Sequence, residues 1–532
     1  MRLESRVRTL VFILFLPFSG LLPGQSELGH ATRRDQRILR IQQLIENHDL
    51  AGAQRLLMEA AKEFPEDSGF DNLLGVVEAQ QGHYQNAENS FNQAILRTPT
   101  FTAAYLNLGR LYQETTAGDP KATDKALDIY RRVLQYAPDD PEANYQSAVL
   151  LLKRGEYQDS LTRVLRLPAD IRSRAQALAI VCADYAALGN RAGTDDAVHG
   201  LIADPDFSEA DVTQMLAGLE AGKREDLAVS LVEDLKKRHA LSLRLLHTLG
   251  LLYERTGELT EARATLEQFV TAGNLSVASL LELARIAHKQ QDYQGSLGYL
   301  AHARDLEPNN AQVHYSFGLV CLDLNLIAEA RNSFEKAVKL EPENASFNYA
   351  MGATSAHLHD PAEAVPYFEK YLKLNPQDPR GKLALAVALY RAKDYANAVP
   401  WLKQVTNIPE TATPAHYYLG SIALRERRLD EAFSELGEAL KAKPGYADAL
   451  AELGQYYLMR KDYSEAEKQI RRALELDPDH ISANFYLLTL YTRTSDPRRE
   501  VQAKRFHELE NLRDEKTQEF LRMVEIRPFA TP

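Results

Sequence analysis

Apolar and polar positions follow one another along this chain in the rhythm of paired helices. From residue 447 onward, Leu450, Leu453, Gly454 and Tyr457 recur at helical spacing, Lys461 and Asp462 break the run, and Ala466, Ile470 and Ala473 form a second stripe. Pro478 then ends the pair, because proline cannot continue a helix and bars its predecessor from helical backbone. The scheme returns every 34 residues. Ala228, Ala262, Ala330, Ala364, Ala398, Ala432 and Ala466 lie on one grid, with Ser296 at the remaining node. Gly250, Gly318, Gly352, Gly420 and Gly454 lie on another, with Ala284 and Ala386 between them. Small residues at fixed nodes mark where helices approach closely. The facing node is apolar throughout, as in Phe91, Tyr130, Phe334, Phe368 and Ile470.

The N-terminal part obeys the same period, with Ala53 and Ala87, Gly75 and Gly109, Pro65 and Pro99. A five-residue insertion at 115–124, marked by Gly118, Asp119 and Pro120, shifts the phase once. Repeats are therefore predicted to begin at 34, 68, 102, 141, 175, 209, 243, 277, 311, 345, 379, 413, 447 and 481, the last incomplete. Residues 168–242 carry the pattern weakly: the closing proline is missing or shifted, and Thr194 replaces the small alanine. This segment is expected to form degenerate repeats, a bend or softer joint between the regular arrays 34–167 and 243–494. Beyond Pro497, a charged segment to 523 with Val501, Phe506, Leu509, Leu512 and Leu521 is expected to cap the last exposed face.

These motifs resemble the tetratricopeptide repeat family, whose pattern places Leu-Gly and Tyr in a first helix and Ala, Phe, Ala and Pro after it. Leu249, Gly250, Tyr253 and Ala262 match it, as do Phe317, Gly318, Ala330, Phe334, Ala337 and Pro342. The resemblance covers about residues 34 to 494 and implies an all-α superhelical solenoid of about fourteen hairpins. It also implies a binding surface rather than a particular chemistry.

Composition narrows the function classes. Against 74 acidic residues stand 62 basic ones, a net charge of -12, which argues against a general nucleic-acid binder. Two cysteines cannot build a disulfide scaffold or a cysteine-based zinc module. Arg2, Arg6 and Arg8 before an apolar run at 10–18 follow the plan of a secretory signal, so residues 1–26 are expected to direct export to the periplasm or exterior. The alternative is an uncleaved N-terminal anchor, the only expected membrane contact. No phosphate-binding glycine loop, dinucleotide fingerprint or HExxH occurs. His357, His359 and Asp360 form an HxHD cluster at an inter-helix turn, too few ligands for a tight metal site. The 38 or so residues after 494 are too few for a self-sufficient fold. No enzyme, cofactor or metal is expected.

In the family, first-helix positions 2, 5, 9, 12 and 13 line the concave groove. Carried onto this chain from repeat seven onward, they bring Arg244, His247, Arg255, Arg285, His288, Lys289, Arg391 and Arg425, with the rings Tyr315, Tyr349, Tyr417 and Phe485. The same positions in repeats one to six are acidic on balance, with Glu142 and Glu220 among them, so the two halves of the groove are expected to differ in sign. Arginine forks beside tyrosines suit an extended protein segment or peptide of acidic character. The alternative is a glycan stacked on the rings, in an envelope assembly or polysaccharide export system. The family's two-carboxylate clamp is matched only by Asn107 and Arg110, since Glu142 and Gln146 stand where basic residues belong.

Overall fold

The structure is a computed structural model that describes residues 33–115, 120–357 and 361–511. Every regular element among them is an α-helix, arranged in successive antiparallel pairs. First helices begin within one residue of the sequence lattice in all but one repeat, for example Ser68–Gln80, Leu243–Thr256, Ala311–Asp323 and Ala447–Arg460. The exception is repeat twelve, whose first helix is Pro409–Arg425. It starts early because the preceding second helix, Tyr395–Lys403, is only nine residues long and Pro409 occupies the favoured first helical position.

The nodes fulfil the packing role that their size suggests. A Cβ built on Gly318 would lie 2.6 Å from the ring of Phe334, and one on Gly109 would lie 2.7 Å from the ring of Tyr130. Phe334 and Tyr130 are fully buried, so each fills the space that a missing side chain leaves. The turn between the two helices has its own rule. Residue fifteen of the repeat adopts left-handed backbone in every described turn, as glycine at Gly82, Gly155, Gly189 and Gly257 but as a larger residue at Gln291, Asn325, Lys393, Arg427 and Lys461.

The close of each repeat is pinned by a side chain. Asn144, Asn348 and Asn484, fourth in their repeats, donate to the carbonyl oxygens of Pro138, Pro342 and Pro478 at 2.9, 2.9 and 3.1 Å. His314 Nε2 lies 2.8 Å from the Pro308 carbonyl in the same manner. A proline carbonyl at a helix end would otherwise be an unmet acceptor.

The chain divides into two compact units, Met1–Thr265 and Leu266–Pro532. The N-terminal unit is built around Ile41, Leu73, Phe91, Leu111 and Tyr130. It contains the degenerate repeats, which keep the hairpin plan: Ala175–Ala187 with Arg191–Ala203, and Glu209–Ala221 with Glu225–Arg238. Asp204 acts where proline is missing, its side chain accepting from the Ala175 and Asp206 amides at 2.7 and 2.8 Å. Thr194 fits the alanine node because its hydroxyl donates to the Asn190 carbonyl at 2.8 Å. Just before these repeats the second helix of repeat four stops at Val164, and a separate turn, Ala169–Arg172, precedes the next repeat.

The C-terminal unit holds its core in Phe334, Phe347, Phe368, Leu402, Leu436 and Ile470. Its last first helix, Ile481–Arg493, is covered by Arg499–Asn511. Leu509 is buried there, Phe506 packs 5.5 Å from Phe485, and Gln502 donates to the Asn484 side chain at 2.9 Å. Val501, expected to share the covered face, is 76% exposed, because the seam falls on Gln502, Phe506 and Leu509. The predicted remainder of this cap, residues 512–523, and the segment 1–26 lie outside the described residues. No described helix is long and apolar enough to cross a membrane.

Candidate functional site

The structure distributes the predicted groove residues among three situations. In the N-terminal unit Arg244 is exposed and His247 is half-buried. Arg255 meets Glu220 at 2.7 Å, one repeat plus one residue earlier. Arg110 meets Glu142 at 2.6 Å in the same unit. Opposite charges thus pair across neighbouring first helices, which leaves the net charge of this surface unchanged but commits Arg110, Arg255, Glu142 and Glu220 to one another. Asn107 donates to Asn72 at 3.0 Å, inside the stack.

The same interval recurs in the C-terminal unit. Arg391 donates through Nη1 to the Ala356 carbonyl at 2.9 Å, and Arg493 does so to the Leu458 carbonyl at 2.9 Å. Both acceptors sit in the last turn of the preceding first helix, where carbonyls lack intrahelical partners and cations are favoured. His288 Nε2 contacts Asp323 at 2.6 Å across the same step. Burial lowers the pKa of Arg391. These side chains link consecutive repeats.

Two of the predicted rings lie elsewhere than expected. Tyr315 and Tyr349 are buried, Tyr315 against Phe347 at 4.9 Å and Tyr349 against Tyr371 at 4.9 Å. They fill the space between helices, so they offer a glycan no open face. Tyr417 is half-buried, with Tyr418 at 4.9 Å and Tyr446 at 5.3 Å, and enclosure raises the pKa of its phenol well above the ordinary value.

Arg425 ends the first helix of repeat twelve and combines support with exposure. Its guanidinium lies over the Tyr390 ring at 5.3 Å, and Nη1 donates to the Ser421 hydroxyl at 2.7 Å. Tyr390 and Ser421 share a hydrogen bond of 2.9 Å, which fixes both supports. Behind them, Glu452 Oε2 is 4.0 Å from Nη1. Among the described residues Nε and Nη2 make no hydrogen bond, and 38% of the side chain remains exposed. A guanidinium held through one nitrogen, with two further donors uncommitted and the side chain partly exposed, suits a two-pronged contact with a carboxylate. Arg285 and Lys289, on Val277–Lys289, are also exposed.

Sequence reasoning missed Tyr390, Ser421, Glu452 and Tyr486, which surround Arg425 from three other first helices and its own. A charge at Glu452, beside the tightly packed Leu453 and Gly454, was the available signal. Also unforeseen is an open cleft of about 550 Å³ between second helices, lined by Arg304, Lys336 and Lys339 with His314 and Asp305.

Among the described residues no group of three His, Cys, Asp or Glu side chains converges as a metal site. His357 ends the helix Ala345–His357, whereas His359 and Asp360 lie outside the described residues. Cys182 and Cys321 are free and buried, and burial pushes their thiols up to about 12 and about 11. Such thiols are poor nucleophiles.

Family models described as tetratricopeptide repeat match residues 39–100, 247–311, 315–379 and 356–414 with one model and 119–181 and 423–489 with another. Among solved structures, the chain is similar to the APC/C hetero-tetramer Cut9–Hcn1, at 12% identity over 86% of this chain and 96% of that one, with a TM-score of 0.35. It is similar also to a tetratricopeptide repeat protein from Parabacteroides merdae, at 16% identity over 47% and 98%, TM-score 0.36. A third is pilF of Pseudomonas aeruginosa, at 22% identity over 39% and 94%, TM-score 0.33. No curated protein matches the chain.

Proposed function

Because this chain belongs to the tetratricopeptide repeat family, a family of protein-interaction scaffolds, we propose that it acts without catalysis and binds an acidic segment of a protein or peptide on the first helices of its C-terminal unit. Arg425 is the anchor, with Arg285 and Lys289 as further cations on the same kind of helix. The observation that carries this reading is that Arg425 is held through Nη1 by Ser421 and over the Tyr390 ring, while Nε and Nη2 make no hydrogen bond among the described residues and the side chain is partly exposed. Arg391 and His288 contribute by joining repeats rather than by contact with a partner. Export is inferred from the pattern of Arg2, Arg6, Arg8 and the apolar run after them, and from that pattern alone.

The test is fluorescence anisotropy with a labelled peptide of alternating aspartate and glycine, beside its asparagine counterpart. The aspartate peptide should bind, and binding should weaken as salt rises, since exposed charges act over roughly 8–10 Å. Arg425→Gln should weaken it about tenfold, the size of one charge-assisted contact. Equal affinity for the two peptides would overturn the proposal.

A further inference from the structure

Glu452 is an anomaly in the C-terminal unit. It lies on Ala447–Arg460, only 4% exposed, and its Oε2 is buried without a hydrogen-bond partner. Its Oε1 faces the Tyr486 hydroxyl at 3.2 Å, but that single proton also has Gln455 Oε1 at 2.8 Å. The carboxylate therefore receives one long hydrogen bond at most. A buried carboxylate normally commands several hydrogen bonds or a close cation.

The groups around it can be named element by element. Pro409–Arg425 presents Arg425, at 4.0 Å, and the Tyr417 phenol. Ile481–Arg493 presents Tyr486, the residue just before that helix is His480, and Pro379–Arg391 presents the Tyr390 phenol. Asp448, one turn away on the same helix, adds a like charge. The adjoining second helices, Leu429–Ala442 and Tyr463–Leu476, bury Leu436, Ala439, Ile470 and Ala473 in the cores that pack on this helix. Arg425 is the principal charge that favours ionised Glu452, and it is the same group whose Nε and Nη2 make no hydrogen bond among the described residues.

We propose that Glu452 couples the arrival of an anionic group of a protein or peptide partner at Arg425 to the uptake of a proton. This rests on the reading of Arg425 as the anchor. An anion beside Arg425 neutralises the principal cation that favours ionised Glu452 and adds a second like charge to that of Asp448. Both changes favour the protonated carboxyl. Desolvation already raises the Glu452 pKa before any partner arrives. Binding raises it further, so the bound state holds more protons than the free state. By linkage, affinity then strengthens as pH falls through the range where Glu452 titrates, above the ordinary glutamate range.

The measurement is titration calorimetry of the full chain in two buffers of different ionisation enthalpy. The probe is a peptide of alternating cysteic acid and glycine, whose sulfonates stay ionised throughout. The wild-type protein should take up a fraction of a proton on binding and gain affinity several-fold as pH falls through the range where Glu452 titrates. Glu452→Gln should bind with that uptake abolished, and above the range where wild-type Glu452 titrates it should bind more tightly than wild type. His480→Gln should keep the uptake, which separates Glu452 from the nearby imidazole. Glu452→Met gives the same readout should the glutamine variant fail to fold. Proton uptake unchanged in the Glu452 variants overturns the coupling while leaving the anchor intact. A probe that binds no variant, wild type included, overturns both.

Discussion

Arg391 and Ala356 are joined by a hydrogen bond of 2.9 Å that spans 35 residues, one repeat plus one position. Arg493 and Leu458 repeat the relationship, and Arg255 with Glu220 follows it with a carboxylate as acceptor. In the two carbonyl pairs the last residue of one first helix thus satisfies the open end of the one before it. Arg391→Glu places a carboxylate against that carbonyl and should cost about 1–3 kcal/mol, seen as a lower urea midpoint. Arg285→Glu, at an exposed site, should weaken the acidic peptide more than it lowers the midpoint. The pair separates a structural arginine from a contact arginine.

Asp184 should make the degenerate repeats sensitive to pH. It is buried on Ala175–Ala187, and neither carboxylate oxygen has a hydrogen-bond partner. Burial pushes its pKa up to about 7, and the neighbouring Ser160 hydroxyl gives its proton to the Ala148 carbonyl. An unfolded aspartate titrates near roughly 3.9. Between these values the folded state holds a proton that the unfolded state has lost, so stability falls as pH rises toward 7 and then levels. Asp184→Ala should remove that slope and protect this helix by on the order of 2–4 kcal/mol at about pH 8. Amide hydrogen exchange of the helix at both ends of the range reads it directly. A slope that survives the substitution refutes the assignment.

The left-handed turn residues predict stabilising changes. Lys393 and Arg427 hold φ of 64° and 58°, a region costly to any residue with a Cβ. Lys393→Gly or Arg427→Gly should raise stability by about 0.5–1 kcal/mol. The converse, Gly257→Ala at φ 87°, should lower it by at least as much. Thermal melts of the three variants suffice.

Helical glycines divide by what faces them. Gly318→Ala would drive a Cβ into the Phe334 ring and should cost about 1–3 kcal/mol. Gly437, on Leu429–Ala442, has nothing within 4 Å, so Gly437→Ala should stabilise by about 0.5–1 kcal/mol through helix propensity alone. Opposite signs from one substitution type, measured by denaturant unfolding, are the expected outcome.

The chain itself determined the hairpin architecture and its phase. Small residues at nodes such as Gly318 and large ones such as Phe334 recur because each helix pair must bury the same face, and a period written in residue size survives projection onto a line. The start of repeat twelve escaped, because a short second helix ending before Pro409 is a local event that periodicity cannot register. The site was legible only in part. Position along a first helix located Arg425, but Arg391 at the same position in the preceding repeat turned inward to Ala356. Tyr315 and Tyr349 likewise went to the core, where Phe347 and Tyr371 meet them. Helical spacing says which way a side chain leaves its own helix. Only packing against the neighbouring repeat decides whether it ends on a carbonyl, a ring or in water.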